Sequence, residues 1–180
     1  MSIFKTLFRS LISFLETFLV SVATILLVFW LIGQPLEITG DSMLPTYASG
    51  EQIFAEKLSL RFGTPSRGDI VVFRLPENKS AFAIKRVIGT PGDQVGLENG
   101  EITINGSLTP EPYLAATTQT WGSTFLKDSE TLTVPENSYF LLGDNRTVSL
   151  DSRTWGFIPE KDLIGKPVIV YSPASSFRLL

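Results

Sequence analysis

Ala81-Phe82-Ala83-Ile84-Lys85-Arg86-Val87-Ile88 is an apolar run interrupted by two adjacent cations, and its reading decides both fold and chemistry. The run reads as a β-strand, with Phe, Ile and Val among its apolar residues. Strand alternation puts Ala81, Ala83, Lys85 and Val87 on one face, so Lys85 shares a small, apolar surface. Burial there disfavours the ammonium form and pulls a lysine pKa down from about 10.4, towards values at which the amine acts as a base. An edge-strand lysine whose amine reaches back to water fits the same segment. The remaining lysines (Lys57, Lys79, Lys127, Lys161 and Lys166) lie in polar or turn-like surroundings, and Lys5 precedes a long apolar segment.

Further strands surround this one. Gly68-Asp69 leads into Ile70-Val71-Val72-Phe73, and Pro76 stops that run. Asn99-Gly100 and Asn105-Gly106 flank Glu101-Ile102-Thr103-Ile104, the first being a strong hairpin signal. Leu132-Thr133-Val134, Tyr139 to Leu142 and Pro167 to Tyr171 add more. Residues 37–180 therefore predict a mainly β domain, an antiparallel barrel or sandwich. The turn-rich stretch at about 90–136 predicts a small β subdomain inserted between two halves of that core.

The N-terminus has a different texture. Between Glu16 and Glu37 lie 20 uncharged residues, Thr17 to Leu36, which as a helix would cross about 30 Å, the thickness of a bilayer's hydrocarbon. This predicts a single transmembrane helix over 17–36, with Trp30 at the far interface. Lys5 and Arg9 precede it, which places residues 1–16 in the cytoplasm and the β domain outside the cell membrane. Ser21-Val22-Ala23 resembles a signal-peptide cleavage site, but Thr24 to Ile32 continues apolar past it, which favours an uncleaved anchor.

Composition removes whole classes of function. The 15 basic and 18 acidic residues give a net charge of −3 without runs of one sign, so no nucleic-acid partner is implied. Cysteine is absent, which excludes disulfides and thiolate-bound metal. Histidine is absent too, which excludes a Ser-His-Asp triad, a Cys-His pair and the usual zinc hydrolase sites. A hydrolase built from this chain needs Lys, Asp, Glu or Tyr as its base. No cofactor or metal is expected.

Two more segments could carry chemistry. Gly40-Asp41-Ser42-Met43-Leu44-Pro45-Thr46 is a turn leading into an extended segment, and alone it reads as a capping turn. Gly143-Asp144-Asn145-Arg146, with Ser149 and Asp151-Ser152-Arg153, reads alone as a polar turn tied by an Asp151–Arg153 pair. A calcium loop fits it poorly, because the central Gly and terminal Glu of that motif are missing.

Taken together, these segments resemble the type I signal peptidases (leader peptidases). Ser42-Met43-Leu44-Pro45-Thr46 is similar to the family's Ser-x-Met-x-Pro-Thr box. Gly68 to Phe73 and Ile84 to Gly89, the latter continuing into Pro91-Gly92-Asp93, resemble its next two boxes. Gly143 to Arg146 with Ser149, Asp151, Ser152 and Arg153 resembles its last. Four boxes in order, behind an anchor and in a histidine-free chain, are a specific signal that runs to about Tyr171.

The resemblance implies a membrane-anchored serine endopeptidase that removes signal peptides from exported preproteins after Ala-x-Ala-like sequences. Ser42 would be the nucleophile and Lys85 its general base. Ser149 would hydrogen-bond the Lys85 amine, Asp151 and Arg153 would form a salt bridge, and Asp144 and Arg146 would support it. The Ser42 N–H would help hold the oxyanion; Gly40 stands where some relatives carry a second hydroxyl donor. The substrate would bind as an added strand, with Ile38 and Ile84 at two small pockets. Two rivals remain at this point. One is a self-cleaving repressor-type Ser/Lys peptidase, which lacks an anchor; the other is an inactive relative serving as a membrane-bound binding module.

Overall fold

The computed structural model describes residues 2–180, the side chains of Ser2, Ile3, Lys5 and Trp30 excepted. Lys5 and Trp30, which the sequence sets at the two ends of the span, thus have side chains outside the described residues. A long helix α1 (Ser2–Ile32) leads into β1 (Gly33–Glu37), β2 (Gln52–Glu56), a short helix α2 (Leu58–Phe62), β3 (Ile70–Arg74) and β4 (Phe82–Gly89). Then come β5 (Gln94–Glu98), β6 (Glu101–Ile104), β7 (Ser107–Leu108), β8 (Thr131–Thr133) and β9 (Ser138–Leu142). A four-residue helix α3 (Ser152–Trp155), β10 (Ile158–Pro159), β11 (Leu163–Ser172) and β12 (Arg178–Leu179) complete the chain.

Eight strands form a curled antiparallel sheet in the order β1-β2-β11-β3-β4-β9-β10, with β12 on β11. The other four form a second sheet in the order β7-β6-β5-β8, drawn from residues 94–133. Its hairpins close as the sequence dictates: Asn99 and Gly100 have φ of 50° and 82°, the left-handed pair that a tight turn between right-twisted strands requires. The two sheets share a core. Ile88, Phe140 and Leu142 of the large sheet pack with Val95, Leu97, Ile102 and Ile104 of the small one, each buried side chain stabilising by roughly 1.5–3 kcal/mol.

Helix α1 departs from the expected bounds at both ends. It begins at Ser2 and not Thr17, because Phe4 to Leu15 are helix-compatible and largely apolar. Its window of membrane-crossing length and composition is Thr6–Phe29, and its apolar side chains there stand exposed. It ends at Ile32, so Gly33 to Leu36 are not part of it. Pro35 has no N–H for a helical bond, whereas an edge strand tolerates it, and β1 is an edge strand paired with β2 (Pro35 opposite Phe54). The Lys57 N–H donates to the Ile32 carbonyl (2.7 Å), and the Phe29 and Phe54 rings meet at 5.0 Å, which ties the helix end to β2. Ser42 follows the helix end by ten positions, an extended reach of about 35 Å.

Candidate active site

The segment after β1 folds into a turn because Met43 and Tyr47, both 1% exposed, are drawn into the core beside Ile38 and Ile53. Backbone bonds from Tyr47 N–H to Met43 O (2.9 Å) and from Leu44 N–H to Asp41 O (3.2 Å) close it. Burying the two apolar neighbours leaves Ser42 half-buried at the surface of the turn. Its N–H has no acceptor among the described residues, so it is available to an oxyanion. Gly40 supplies no hydroxyl, and its N–H is taken by Ser49 Oγ (3.0 Å).

Strand β4 brings the partner. Val71 lies opposite Lys85 on β3, and Ala83 and Val87 flank it on the same face, part of a cluster with Phe73, Tyr139, Leu141 and Ile158. Lys85 is 3% exposed, and its Nζ lies 2.6 Å from Ser42 Oγ and 3.1 Å from the Ile84 carbonyl. Burial lowers its pKa to about 8, opposed by the charges of Asp151 and Asp144 and assisted by Arg153. An amine reaching back to water is therefore excluded: Lys85 is buried.

The last segment forms a buried ionic scaffold. Asp151, fully buried, accepts from Arg153 Nε (2.8 Å) and Nη2 (2.9 Å), from the Arg153 N–H (3.2 Å) and from the Gly143 N–H (3.1 Å). Arg153 Nη2 also donates to the Arg146 carbonyl (2.8 Å). Asp144 and Arg146 do not pair with each other. Asp144 accepts from Arg86 Nε (2.8 Å) and Nη2 (2.6 Å) and from Thr46 Oγ1; Arg146 pairs with Glu111 and donates to Thr120 Oγ1 (2.6 Å). Asn145 spans to the serine turn, its N–H bonding the Ser42 carbonyl (3.0 Å) and its side chain the Asp41 carbonyl (3.0 Å).

Ser149 corrects an expectation. Its hydroxyl is buried with no hydrogen-bond partner among the described residues and does not reach Lys85, whose amine is already met by Ser42 Oγ and Ile84 O. The hydroxyl packs closely against Gly143 instead. A Cβ on Gly143 would collide with Ser149 Oγ and with the Ser42 carbonyl, so the hydroxyl faces glycine's bare Cα. Leaving such a group unpaired costs about 1–3 kcal/mol.

Ile38 and Ile84 belong to one buried cluster with Val72 and Val170, and both line a cleft of about 700 Å³ that also holds Ser42 and Lys85. Along this cleft β4 has a neighbour on one side only. From Phe82 to Lys85 it pairs with β3, while β9 begins to pair at Arg86. Sequence reasoning missed Arg86, Thr46, Glu111 and Tyr113. The first was legible in principle: adjacent strand residues face opposite ways, so two neighbouring cations in an apolar strand imply that one needs a carboxylate.

Known proteins match this sequence over nearly its whole length. The family described as "Signal peptidase, peptidase S26" matches residues 11–172. The signal peptidase I S of Bacillus subtilis (strain 168) is 34% identical over 175 residues, 94% of each chain. The signal peptidase I of Leptolyngbya laminosa is 37% identical over 147 residues, 77% of this chain and 68% of its own. A crystal structure of a signal peptidase I from Enterococcus faecalis V583 is 33% identical and covers 57% of this chain and 96% of its own, with a TM-score of 0.48. With an amine and a hydroxyl in contact in a histidine-free cleft, and with these matches across the chain, the protein belongs to the signal peptidase family, peptidase S26.

Proposed function

We propose that Ser42 and Lys85 are the catalytic pair with which this chain, a serine endopeptidase of the signal peptidase family, removes signal peptides from preproteins. The observation that carries the assignment is the 2.6 Å contact between Ser42 Oγ and a buried Lys85 amine. A lysine amine is a base only when neutral. With a pKa of about 8, roughly a tenth is neutral at pH 7, against about three parts in ten thousand for an exposed lysine. Neutral Lys85 takes the Ser42 proton as Oγ attacks the scissile carbonyl, and the resulting oxyanion is met by the Ser42 N–H. Ammonium Lys85 then protonates the leaving amine, and the regenerated amine activates the water that releases the acyl group.

The peptide lies as an extra strand along the unpaired stretch of β4 from Phe82 to Lys85, its carbonyls and N–H groups completing the ladder there. Ile38 and Ile84 close off the two side-chain pockets and restrict them to small residues. Incubating the solubilised protein with a preprotein and sequencing the new N-terminus tests both points. Wild type is expected to cut after small residues, and Ile38→Ala or Ile84→Ala to cut also after bulkier ones. Unchanged fidelity in both variants assigns the pockets to other residues; no cleavage at all assigns the chain to an inactive branch of the family.

Helix α1 anchors the enzyme, its 24-residue window Thr6–Phe29 exceeding the length that about 30 Å of hydrocarbon requires. Lys5 and Arg9 put its start in the cytoplasm and the β domain outside, where the cleavage site of a translocating signal peptide emerges. Protease added outside intact spheroplasts is expected to digest the β domain, and full protection reverses the orientation.

A further inference from the structure

Between β7 and β8 the chain has no regular structure for 22 residues, yet three of its side chains, those of Glu111, Tyr113 and Thr120, reach the buried arginines of the site. Glu111 accepts from Arg146 Nη1 (2.8 Å) and Nη2, and the Tyr113 hydroxyl donates to Glu111 Oε1 (2.6 Å). The Tyr113 ring lies against the guanidinium of Arg86, 3.8 Å from ring centroid to Cζ. Arg86 is thus held between an aromatic face and the Asp144 carboxylate, with Nη1 on the Gly68 carbonyl (2.8 Å).

Each arginine sits one residue from a part of the proposed site. Arg86 follows Lys85 on β4, and Arg146 follows Asn145, whose two bonds brace the Ser42 turn. We infer that Glu111 and Tyr113 are positioning residues, a clamp by which the small sheet holds Lys85's strand and the brace of Ser42 in one geometry. The inference rests on Ser42 and Lys85 being the catalytic pair. Neither Glu111 nor Tyr113 touches the reacting atoms; they act through Arg86, Asp144, Arg146 and Asn145.

Two consequences separate a clamp from a scaffold. Loosening it lengthens the Ser42–Lys85 contact, which lowers kcat while leaving the Ile38 and Ile84 pockets, and hence KM, in place. It also alters the charge around Lys85. The groups facing that amine are Asp151 and Asp144, which favour its charged form, and Arg153, which opposes it; Ser42 Oγ and the Ile84 carbonyl complete its surroundings. An Arg86 freed from the Tyr113 ring neutralises Asp144 less, so the Lys85 amine holds its proton to higher pH.

The test is kcat, KM and the pH midpoint of the full-length protein in detergent on a preprotein, with active molecules counted by acylation of Ser42. Tyr113→Leu is expected to lower kcat per active molecule about tenfold or more, to leave KM within about twofold and to move the midpoint upward. Tyr113→Phe keeps the ring over Arg86 and is expected to restore the midpoint. Thr117→Ala, exposed on the same segment, is expected to match wild type in every measure. A Tyr113→Leu protein that melts earlier but keeps the wild-type kcat and midpoint overturns the clamp. Lys85→Ala run alongside isolates the premise: activity there removes the base assignment and the clamp with it, whereas an inactive Lys85→Ala beside an unaltered Tyr113→Leu removes the clamp alone.

Discussion

Ser42→Ala and Lys85→Ala are each expected to lower preprotein cleavage by at least about 10⁴-fold, and the double variant to be no worse than either. The two atoms lie 2.6 Å apart and, on the proposed assignment, form one unit: without Oγ there is no nucleophile, and without the amine nothing takes its proton. No histidine exists anywhere in the chain to substitute. Lys85→Arg should fail as completely as Lys85→Ala, because a guanidinium stays protonated at every workable pH. The wild-type rate should rise with pH through about 8, as Lys85 passes from ammonium to amine, and then level off. Ser149→Ala should be impaired far less, since its hydroxyl makes no hydrogen bond among the described residues. The measurement is initial rate against pH on a purified preprotein, and a folded Lys85→Arg enzyme near wild-type rate would refute the pair.

The second large effect concerns stability. Asp151→Ala leaves Arg153 buried without its carboxylate and the Gly143 N–H without its acceptor. Breaking a buried pair from one side costs about 3–5 kcal/mol, on the order of 10 °C in melting temperature for a domain of this size. Because Arg153 also holds the Arg146 carbonyl, activity should fall with it. Removing both charges as Asp151→Leu with Arg153→Met should recover much of the stability, because the stranded cation is gone. Thermal melts in detergent read both variants. Equal stability of Asp151→Ala and wild type would mean that the pair is solvated in solution.

How far the sequence carries a reader depends on the range of the interactions. Strand alternation and hairpin turns are local, so Lys85's apolar face and the Asn99-Gly100 turn were both legible. So was the Asp151–Arg153 pair, two residues apart. What failed was non-local or a matter of packing. The end of the apolar segment reads equally well as helix until β2 offers Gly33 to Glu37 a partner. Ser149 was expected on the Lys85 amine, but its hydroxyl packs against Gly143. Glu111 and Tyr113 lie 35 and 27 residues in sequence from their arginines, Arg146 and Arg86, in a segment with no periodic signal.

The neighbours Lys85 and Arg86 also make the enzyme's activity a report on folding fidelity. Side chains of a strand alternate, so a slip of β4 by one residue against β3 would exchange the two cations between faces. A permanently charged guanidinium would then stand beside Ser42, and the amine would be left opposite Asp144. Every apolar contact of that strand would be inverted at the same time, since Ile84 and Ile88 belong to other core clusters than Val87. A chain misaligned in this way would carry all the right residues and yet be inert. The ion pair of Arg86 with Asp144, available on one face alone, penalises that misalignment as well as holding the finished site.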